Sequence, residues 1–227
     1  MDGKTDPGRP NQARLRRRAW GLALASVAFG SAYFFVRQFL KDGVWRFDAT
    51  LVNKSLGTAA LLLIALSMGL TGWSYFRGAA AVLAYRKPCG LVGFWVGLAH
   101  GAVEHVLLPA LGLPSESGPA TRHAEALGLA ALAIFGLMAL ASNDRVRERL
   151  GGTAWRKALR YAGYAGLAVA VGHTAGLKGA GWLRFVRTFR PALPSLSLPV
   201  ALFAVFVVLL RLALWLAERR KRRGPVT

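Results

Sequence analysis

Long apolar runs separated by short polar segments dominate the chain. Each run is close to the length of about 20 mainly apolar residues that an α-helix needs to cross a bilayer, and the short alternating runs of a soluble domain are missing. The pattern predicts an all-α integral membrane protein, folded as a six-transmembrane-helix bundle. The predicted spans are residues 20–40, 55–76, 89–111, 124–141, 158–177 and 198–217.

Composition agrees with this class of protein. Of the 227 residues, 54% are hydrophobic, and nothing long enough for a separate soluble domain lies outside the predicted spans. The expected organisation is therefore a single membrane domain with a basic tail at each end. The predicted segments are an N-terminal tail at 1–18, the membrane domain at 19–217 and a C-terminal tail at 218–227.

The net charge of +20 is explained by membrane topology. With six spans, most Lys and Arg residues fall in the N-terminus, the loops after spans 2 and 4, and the C-terminus, which share one side. Short loops rich in Lys and Arg stay in the cytoplasm, so both termini are predicted to be cytoplasmic, in a multi-pass protein of the bacterial inner membrane. Basic flanks of this kind lie against anionic lipid headgroups, and nucleic acid is not an expected partner.

Four histidines lie in or beside the predicted spans: His100 in span 3, His105 near its outer end, His123 at the start of span 4 and His173 late in span 5. An ionisable residue inside a span is costly and usually has a partner or a function. Spans 3 and 5 both run outward, with His100 about 17 Å and His173 about 22 Å from the cytoplasmic starts of their spans. Two imidazoles at one depth are what an axially coordinated heme iron requires.

Glycines share the helix faces of these two histidines. Four of them lie three or seven residues from His100 or His173, on the same face of the helix. Small residues there would leave flat space for a porphyrin, but they also let transmembrane helices approach closely. Spacing alone leaves two interpretations open: a heme held by both histidines, or a histidine hydrogen-bonded between helices. The four residues are Gly93, Gly97, Gly166 and Gly176.

Two segments that end in these histidines resemble a known family. "YRKPCGLVGFWVGLAH", ending at His100, is similar to the opening of span 3 in the ferric-reductase-like transmembrane family, and "SNDRVRERLGGTAWRKALRYAGYAGLAVAVGH", ending at His173, is similar to that family's cytoplasmic loop and fifth span. Within the family, the heme-binding membrane subunits of bacterial periplasmic methionine sulfoxide reductase systems are the most similar. The resemblance implies a b-type heme protein, with His100 and His173 at positions that match heme ligands.

One position departs from the family pattern. Arg160, in "LRYAGY", stands at or beside the place of a cytoplasmic-side histidine, and arginine keeps its proton and is no ordinary iron ligand. A second heme is therefore not expected there. Arg160 is a candidate for binding a flavin phosphate or a heme propionate, or is simply a basic residue at a cytoplasmic helix start. Further candidates for propionate or partner contacts are Arg184, Arg187 and Arg190.

The remaining candidate chemistry lies near the outer surface. His105 and His123 have Glu104 and Glu125 beside them in sequence. Three roles are open for them: an external metal site, assistance in the reduction of a substrate, or interfacial contacts with water and headgroups. Cys89 is the single cysteine, which excludes an intrachain disulfide and a zinc cluster built on cysteines.

The expected function follows from the histidine pair and the resemblance. It is electron transfer by heme b from a quinone or a cytoplasmic flavin donor, with FMN as a possible second cofactor, to an extracytoplasmic acceptor such as a periplasmic methionine sulfoxide reductase subunit. The chain lacks Walker, GxGxxG and HExxH motifs, and it has no room for a flavin and nicotinamide domain, so a separate flavin reductase or the quinone pool would supply electrons. The alternative is a non-redox six-span protein, an assembly factor or small transporter that keeps the fold without heme.

Overall fold

The protein is a bundle of long helices. The computed structural model describes residues 12–46, 48–116 and 118–222, without the side chains of residues 144 and 220–222. Every regular element within these residues is helical. The helices are α1 (Gln12–Asp42), α2 (Ala49–Arg77), α3 (Arg86–Ala102, continued by a π-helical turn, Val103–Leu107, and by Leu108–Ala110), α4 (Arg122–Ala141), α5 (Asp144–Leu150), α6 (Gly152–Thr188) and α7 (Ser197–Arg222); a 3₁₀ turn, Ala80–Tyr85, precedes α3.

Five helices in the described part of the chain are long and apolar enough to cross a membrane: α1, α2, α3 together with its preceding 3₁₀ turn, α4 and α7. With 37 residues, α6 has the length but not the same apolar character, because tyrosines, glycines and His173 interrupt its sequence. The prediction of an all-helical protein with membrane-spanning helices is confirmed in this form. Six spans and cytoplasmic termini stay predictions.

Large apolar side chains cover the outside of the bundle. Leu137 and Leu140 on α4 are 68% and 72% exposed, and similar residues project from the other helices. Water-soluble monomers rarely expose contiguous apolar patches of this extent, whereas lipid tails would cover them without cost. Further exposed residues of this kind are Leu24, Phe29, Leu202, Phe206 and Leu209.

Helix α2 lies at the centre of the bundle. It is the most buried of the five membrane-compatible helices, and it packs against α1, α3, α6 and α7. Close approach depends on small residues: a Cβ atom added to Gly93 of α3 would lie 2.9 Å from Ile64 of α2, and one added to Gly72 would lie 2.4 Å from Leu210 of α7. Glycines therefore set the helix spacing by allowing backbone contact.

Local signals explain where the helices begin and end. Asp48 caps α2 by accepting a hydrogen bond from the Thr50 backbone amide at 2.6 Å, and Gly78 ends α2 in the left-handed conformation that glycine favours, with φ of 66°. The π-helical turn in α3 ends at Leu107, two residues before Pro109, whose missing amide cannot continue the α-helical pattern. These ends place the starts of α2 and α4 beside the last turns of α3.

Two helices extend past boundaries predicted from the sequence. The N-terminal tail is predicted at 1–18 and α1 begins at Gln12, so where the tail meets the membrane domain stays a prediction; residues 1–11 and 223–227 of the predicted tails lie outside the described residues. The fifth span was predicted to end near residue 177, but α6 continues to Thr188. The added turns carry Lys178 and Trp182 to the rim of the cavity described next.

Candidate functional site

A cavity of about 540 Å³ lies within the bundle, and both His100 of α3 and His173 of α6 line it. This volume is in the range of small-molecule and cofactor sites, about 300–1,000 Å³. Its inner wall is apolar, and its rim carries charged side chains near the starts of α2 and α4. The apolar wall includes Ala60, Leu61, Ile64, Ala131, Leu132 and Phe135, and the charged rim includes Arg37, Lys41, Lys54, Glu104, Glu116 and Lys178.

The imidazole of His100 is held against α2. Its Nδ1 lies 3.0 Å from the Asn53 backbone carbonyl oxygen and 2.9 Å from the Asn53 Oδ1 atom. A Cβ atom added to Gly57 would meet three ring atoms of His100 at nearly equal distances, 3.0 to 3.2 Å. Near-equal distances mean that this Cβ position lies over the face of the ring. Because Gly57 has no side chain, the imidazole packs directly against the backbone of α2, and we call this position the seat of the imidazole.

The imidazole of His173 is held against α4 in the same way. Its Nδ1 lies 2.7 Å from the Ala124 backbone carbonyl oxygen, and a Cβ atom added to Gly128 would lie 2.7 Å from Nδ1 and 2.9 Å from Cε1. In both cases the ring lies over a glycine, and its Nδ1 bonds to the carbonyl four residues earlier on that helix. One docking arrangement thus occurs twice, on two different pairs of helices.

These contacts fix which nitrogen carries the proton in the neutral imidazoles. The partners of Nδ1 are carbonyl oxygens, which only accept hydrogen bonds, so Nδ1 carries the hydrogen and donates. The Nε2 atom then keeps its lone pair. A histidine that ligates a metal through one nitrogen commonly donates its other N–H to a carbonyl or carboxylate, and both histidines have this form.

A polar network extends from His100 to the rim of the cavity. Asn53 is only 2% exposed and donates through Nδ2 to the Glu104 Oε2 atom at 2.6 Å, which orients its Oδ1 atom toward His100. Glu104 also accepts from the Glu116 backbone amide at 2.5 Å. The Glu116 carboxylate forms ion pairs with Lys178 and, at 3.3 Å, with Lys54. Glu116 is thereby tied to α2, α3 and α6 at the rim of the cavity.

The charge of Glu116 is stabilised by these pairs. Burial alone raises the pKa of this loop carboxyl, but Lys178 and Lys54 outweigh it and hold the pKa below its ordinary value. Glu116 is therefore ionised at neutral pH, with cationic partners on two helices.

The four glycines predicted to flank the histidines lie at different places. Gly97 lines the cavity. Gly93 packs against α2, Gly166 against Phe135, and Gly176 against Ala124, where added Cβ atoms would lie within 3.0 Å of these neighbours. Three of the four thus permit close helix packing, and two other glycines, Gly57 and Gly128, form the seats of the imidazoles.

The basic candidates lie away from the histidine cavity. Arg160 lines a second, smaller cavity at the opposite end of the bundle. Arg184, Arg187 and Arg190 are exposed on the last turns of α6 and just beyond it. The cationic groups on the rim of the histidine cavity are instead Arg37, Lys41, Lys54 and Lys178.

The outer histidines and acids do not form a compact cluster. Across residues 12–46, 48–116 and 118–222, no group of three or more His, Cys, Asp or Glu side chains is placed to hold a metal ion. Glu104 is bonded to Asn53. The carboxylate of Glu125 accepts from the Gly118 amide at 3.0 Å. Cys89 is buried as a free thiol.

The site contains residues that sequence reasoning missed: Asn53, Gly57 and Gly128. The two glycines share a sequence signal. Each lies on an apolar helix, four residues after the residue whose carbonyl oxygen contacts a histidine. That spacing becomes informative only when the facing helices are known.

Comparisons with known proteins give no further identification. No protein-family model matches the chain, and no curated protein matches it.

Proposed function

We propose that this protein is a b-type heme membrane protein, with His100 and His173 as the axial ligands. It would carry electrons from a quinone or a cytoplasmic flavin donor to an acceptor on the extracytoplasmic side. The observation that carries the proposal is the repeated docking of the two imidazoles. Each donates its Nδ1 hydrogen to a helix carbonyl, lies over a glycine and lines the same cavity.

The residues present fit a heme. Neutral imidazoles with a free Nε2 lone pair are the donor set that iron accepts, and the cavity has the volume of a cofactor site. Two further glycines, Gly97 and Gly101, line it beside His100, so the wall next to this ligand carries no bulky side chain of its own at these positions. When bound, heme iron supplies a one-electron carrier.

The chain's own residues would orient and shield the cofactor. The carbonyls of Asn53 and Ala124 fix the ring orientations, and the apolar wall around Phe135 excludes water. At the rim, Lys54 and Lys178 are the cationic groups nearest to the described network, and they are suited to bind carboxylate groups. We therefore propose Lys54 and Lys178 for propionate binding in place of Arg184, Arg187 and Arg190.

The direction and partners of electron transfer rest on the resemblance and on charge. Under the predicted topology the cavity rim faces outward, which suits delivery to an extracytoplasmic protein. The similarity to membrane subunits of periplasmic methionine sulfoxide reductase systems makes a reductase subunit of that kind the proposed acceptor. A quinone, a bound FMN or a separate flavin reductase is the proposed donor.

A second candidate function is favoured by the same contacts. A histidine that is hydrogen-bonded between helices needs no metal, and His100 and His173 both make such bonds. In a non-redox membrane protein these bonds would simply join α3 to α2 and α6 to α4. The non-redox function explains the hydrogen bonds of the two Nδ1 atoms, but it gives no role to the Nε2 atoms or to the cavity.

The test is a dithionite-reduced minus oxidised absorption spectrum of the purified protein, with heme quantified per polypeptide. About one heme per chain with a low-spin spectrum is expected. His100→Ala and His173→Ala should each lose heme or become high-spin, because each removes one axial ligand while alanine keeps the helix.

The matched controls are His105→Ala and His123→Ala, which should leave the low-spin spectrum almost unchanged. A colourless protein would favour the non-redox alternative, and about two hemes would show that a second site exists. If all four variants keep the same low-spin heme, the assignment of the ligand pair is wrong.

A further inference from the structure

A second cavity, of about 320 Å³, lies at the opposite end of the bundle, among the end of α2, the start of α3, the end of α4 and the start of α6. One side of it is apolar and includes Met68, Leu91, Phe94 and Met138. Ile64 and Phe135 line both this cavity and the histidine cavity. The two cavities are therefore separate spaces that share part of one wall.

The other side of this cavity is strongly basic. Four cationic side chains line it, and no Asp or Glu among the described side chains does so. A charge next to apolar surface is costly unless an opposite charge or water compensates it. The four residues are Arg86, Lys87, Arg156 and Arg160.

Hydrogen bonds hold the frame of this cavity. Ser67 of α2 donates to the Arg86 carbonyl at 2.6 Å, which joins α2 to α3. Lys87 donates to the Ser142 carbonyl at 3.0 Å, and the Trp155 indole donates to the Ala141 carbonyl at 2.8 Å. These bonds join α3 and α6 to the end of α4. These three carbonyl oxygens therefore bind the frame of the cavity and not the arginine side chains.

Unlike Lys87 and Trp155, the side chains of Arg86 and Arg160 have no hydrogen-bond acceptor in the described part of the chain. Within residues 12–46, 48–116 and 118–222, neither guanidinium group forms a hydrogen bond or an ion pair. Arg86 is half-buried and Arg160 is exposed; both lie near Arg211 and the Tyr164 hydroxyl. An acid next to this cluster is Glu218, whose Oε1 lies 3.9 Å from Arg211. The cluster thus carries an excess of positive charge that an anion would compensate.

We propose that this cavity binds the phosphate group of an anionic phospholipid. Guanidinium groups bind phosphate through paired, charge-assisted hydrogen bonds, and Arg86 and Arg160 are the two groups free to do so. The apolar wall at Phe94 and Met138 would contact the start of an acyl chain, which a free phosphate ion lacks. The predicted topology places the cavity at the cytoplasmic leaflet, where anionic lipids accumulate.

The test compares lipids on the delipidated full-length protein in detergent, by native mass spectrometry and thermal melting. Phosphatidylglycerol should bind as one retained molecule and raise the melting temperature, and phosphatidylcholine should bind at least about tenfold more weakly. Arg86→Gln and Arg160→Gln should each weaken phosphatidylglycerol binding by about tenfold or more, because each removes a hydrogen bond between charged groups.

The matched control is Arg77→Gln, at the same end of the bundle, where Arg77 stacks on Trp73 and does not line the cavity. It should bind phosphatidylglycerol as the wild type does. Equal binding by Arg86→Gln, Arg160→Gln and wild type would overturn the proposal. Stabilisation by inorganic phosphate equal to that by phosphatidylglycerol, or a co-purified phosphorylated aromatic cofactor seen by absorbance, would also overturn it. If the variants fail to fold, the lipid and phosphate comparison on the wild type decides alone.

Discussion

The substitution Gly128→Ala adds one methyl group, which should displace the proposed ligand His173 while the His173 side chain itself stays unchanged. The Cβ atom of Gly128→Ala would lie 2.7 Å from the His173 Nδ1 atom, where ordinary contact begins at 3.4 Å. The ring must therefore move away from the new Cβ by up to about 0.7 Å, which displaces its Nδ1 atom from the Ala124 carbonyl that it now meets at 2.7 Å and weakens that hydrogen bond. Loss of such a partner lowers metal affinity by about 10- to 100-fold, and this is the upper limit of the effect expected here.

The assay is heme content per polypeptide and the low-spin spectrum, measured across a series of glycine-to-alanine variants. Gly57→Ala, with its Cβ at 3.0 Å from His100, should have a smaller effect than Gly128→Ala. Gly179→Ala meets nothing within 4 Å and Gly179 does not line the cavity, so this variant should keep full heme. If Gly128→Ala keeps the same heme content and spectrum as Gly179→Ala, the docking on glycine does not position the ligand.

Three other predictions concern stability and topology. Asn53→Leu should lower the melting temperature and loosen His100, because it removes the Oδ1 contact and the Nδ2 bond to Glu104; an unchanged melting curve would contradict this role. The pKa of Glu116 is lowered in the folded state, so its stabilising effect is present above the unfolded-state value of about 4.3 and is lost as the pH falls further. The melting temperature of Glu116→Gln should accordingly depend less on pH below about 4.3 than that of the wild type, and parallel curves would refute this. Reporters fused after Thr227 should be active as cytoplasmic fusions and inactive as periplasmic ones, and the reverse would overturn the predicted orientation.

The helices were largely predictable because a bilayer imposes length and polarity on each one. Five of the six predicted runs fall within helices of the structure, and the remaining one, 89–111, ends one residue past Ala110. Their ends were less predictable, because ends depend on local signals. Helix α6 continues past the predicted end at residue 177 and stops at Thr188, where Phe189 takes a left-handed conformation with φ of 50°. The lower apolar content of α6, which arises from the residues around His173, is also what leaves the number of spans a prediction.

The candidate site was predictable only for residues whose type is unusual in a membrane helix. His100 and His173 were noticed for that reason, and both line the cavity. Gly57 and Gly128 were not noticed, because glycine is common in such helices and only the facing ring distinguishes them. Asn53 was missed because its role depends on Glu104 from another helix, and a single sequence does not show which helices are neighbours.

The repeated docking of the imidazoles has a consequence for biogenesis. His100 is oriented entirely by α2 and His173 entirely by α4, and the pairs α2–α3 and α4–α6 are the most extensively packed in the bundle. Under the predicted six-span topology, each pair could insert as a hairpin with its histidine already in place, before the two hairpins meet. Capture of a ligand between the histidines would then be the last step of maturation, and it would distinguish correctly joined hairpins from misassembled ones.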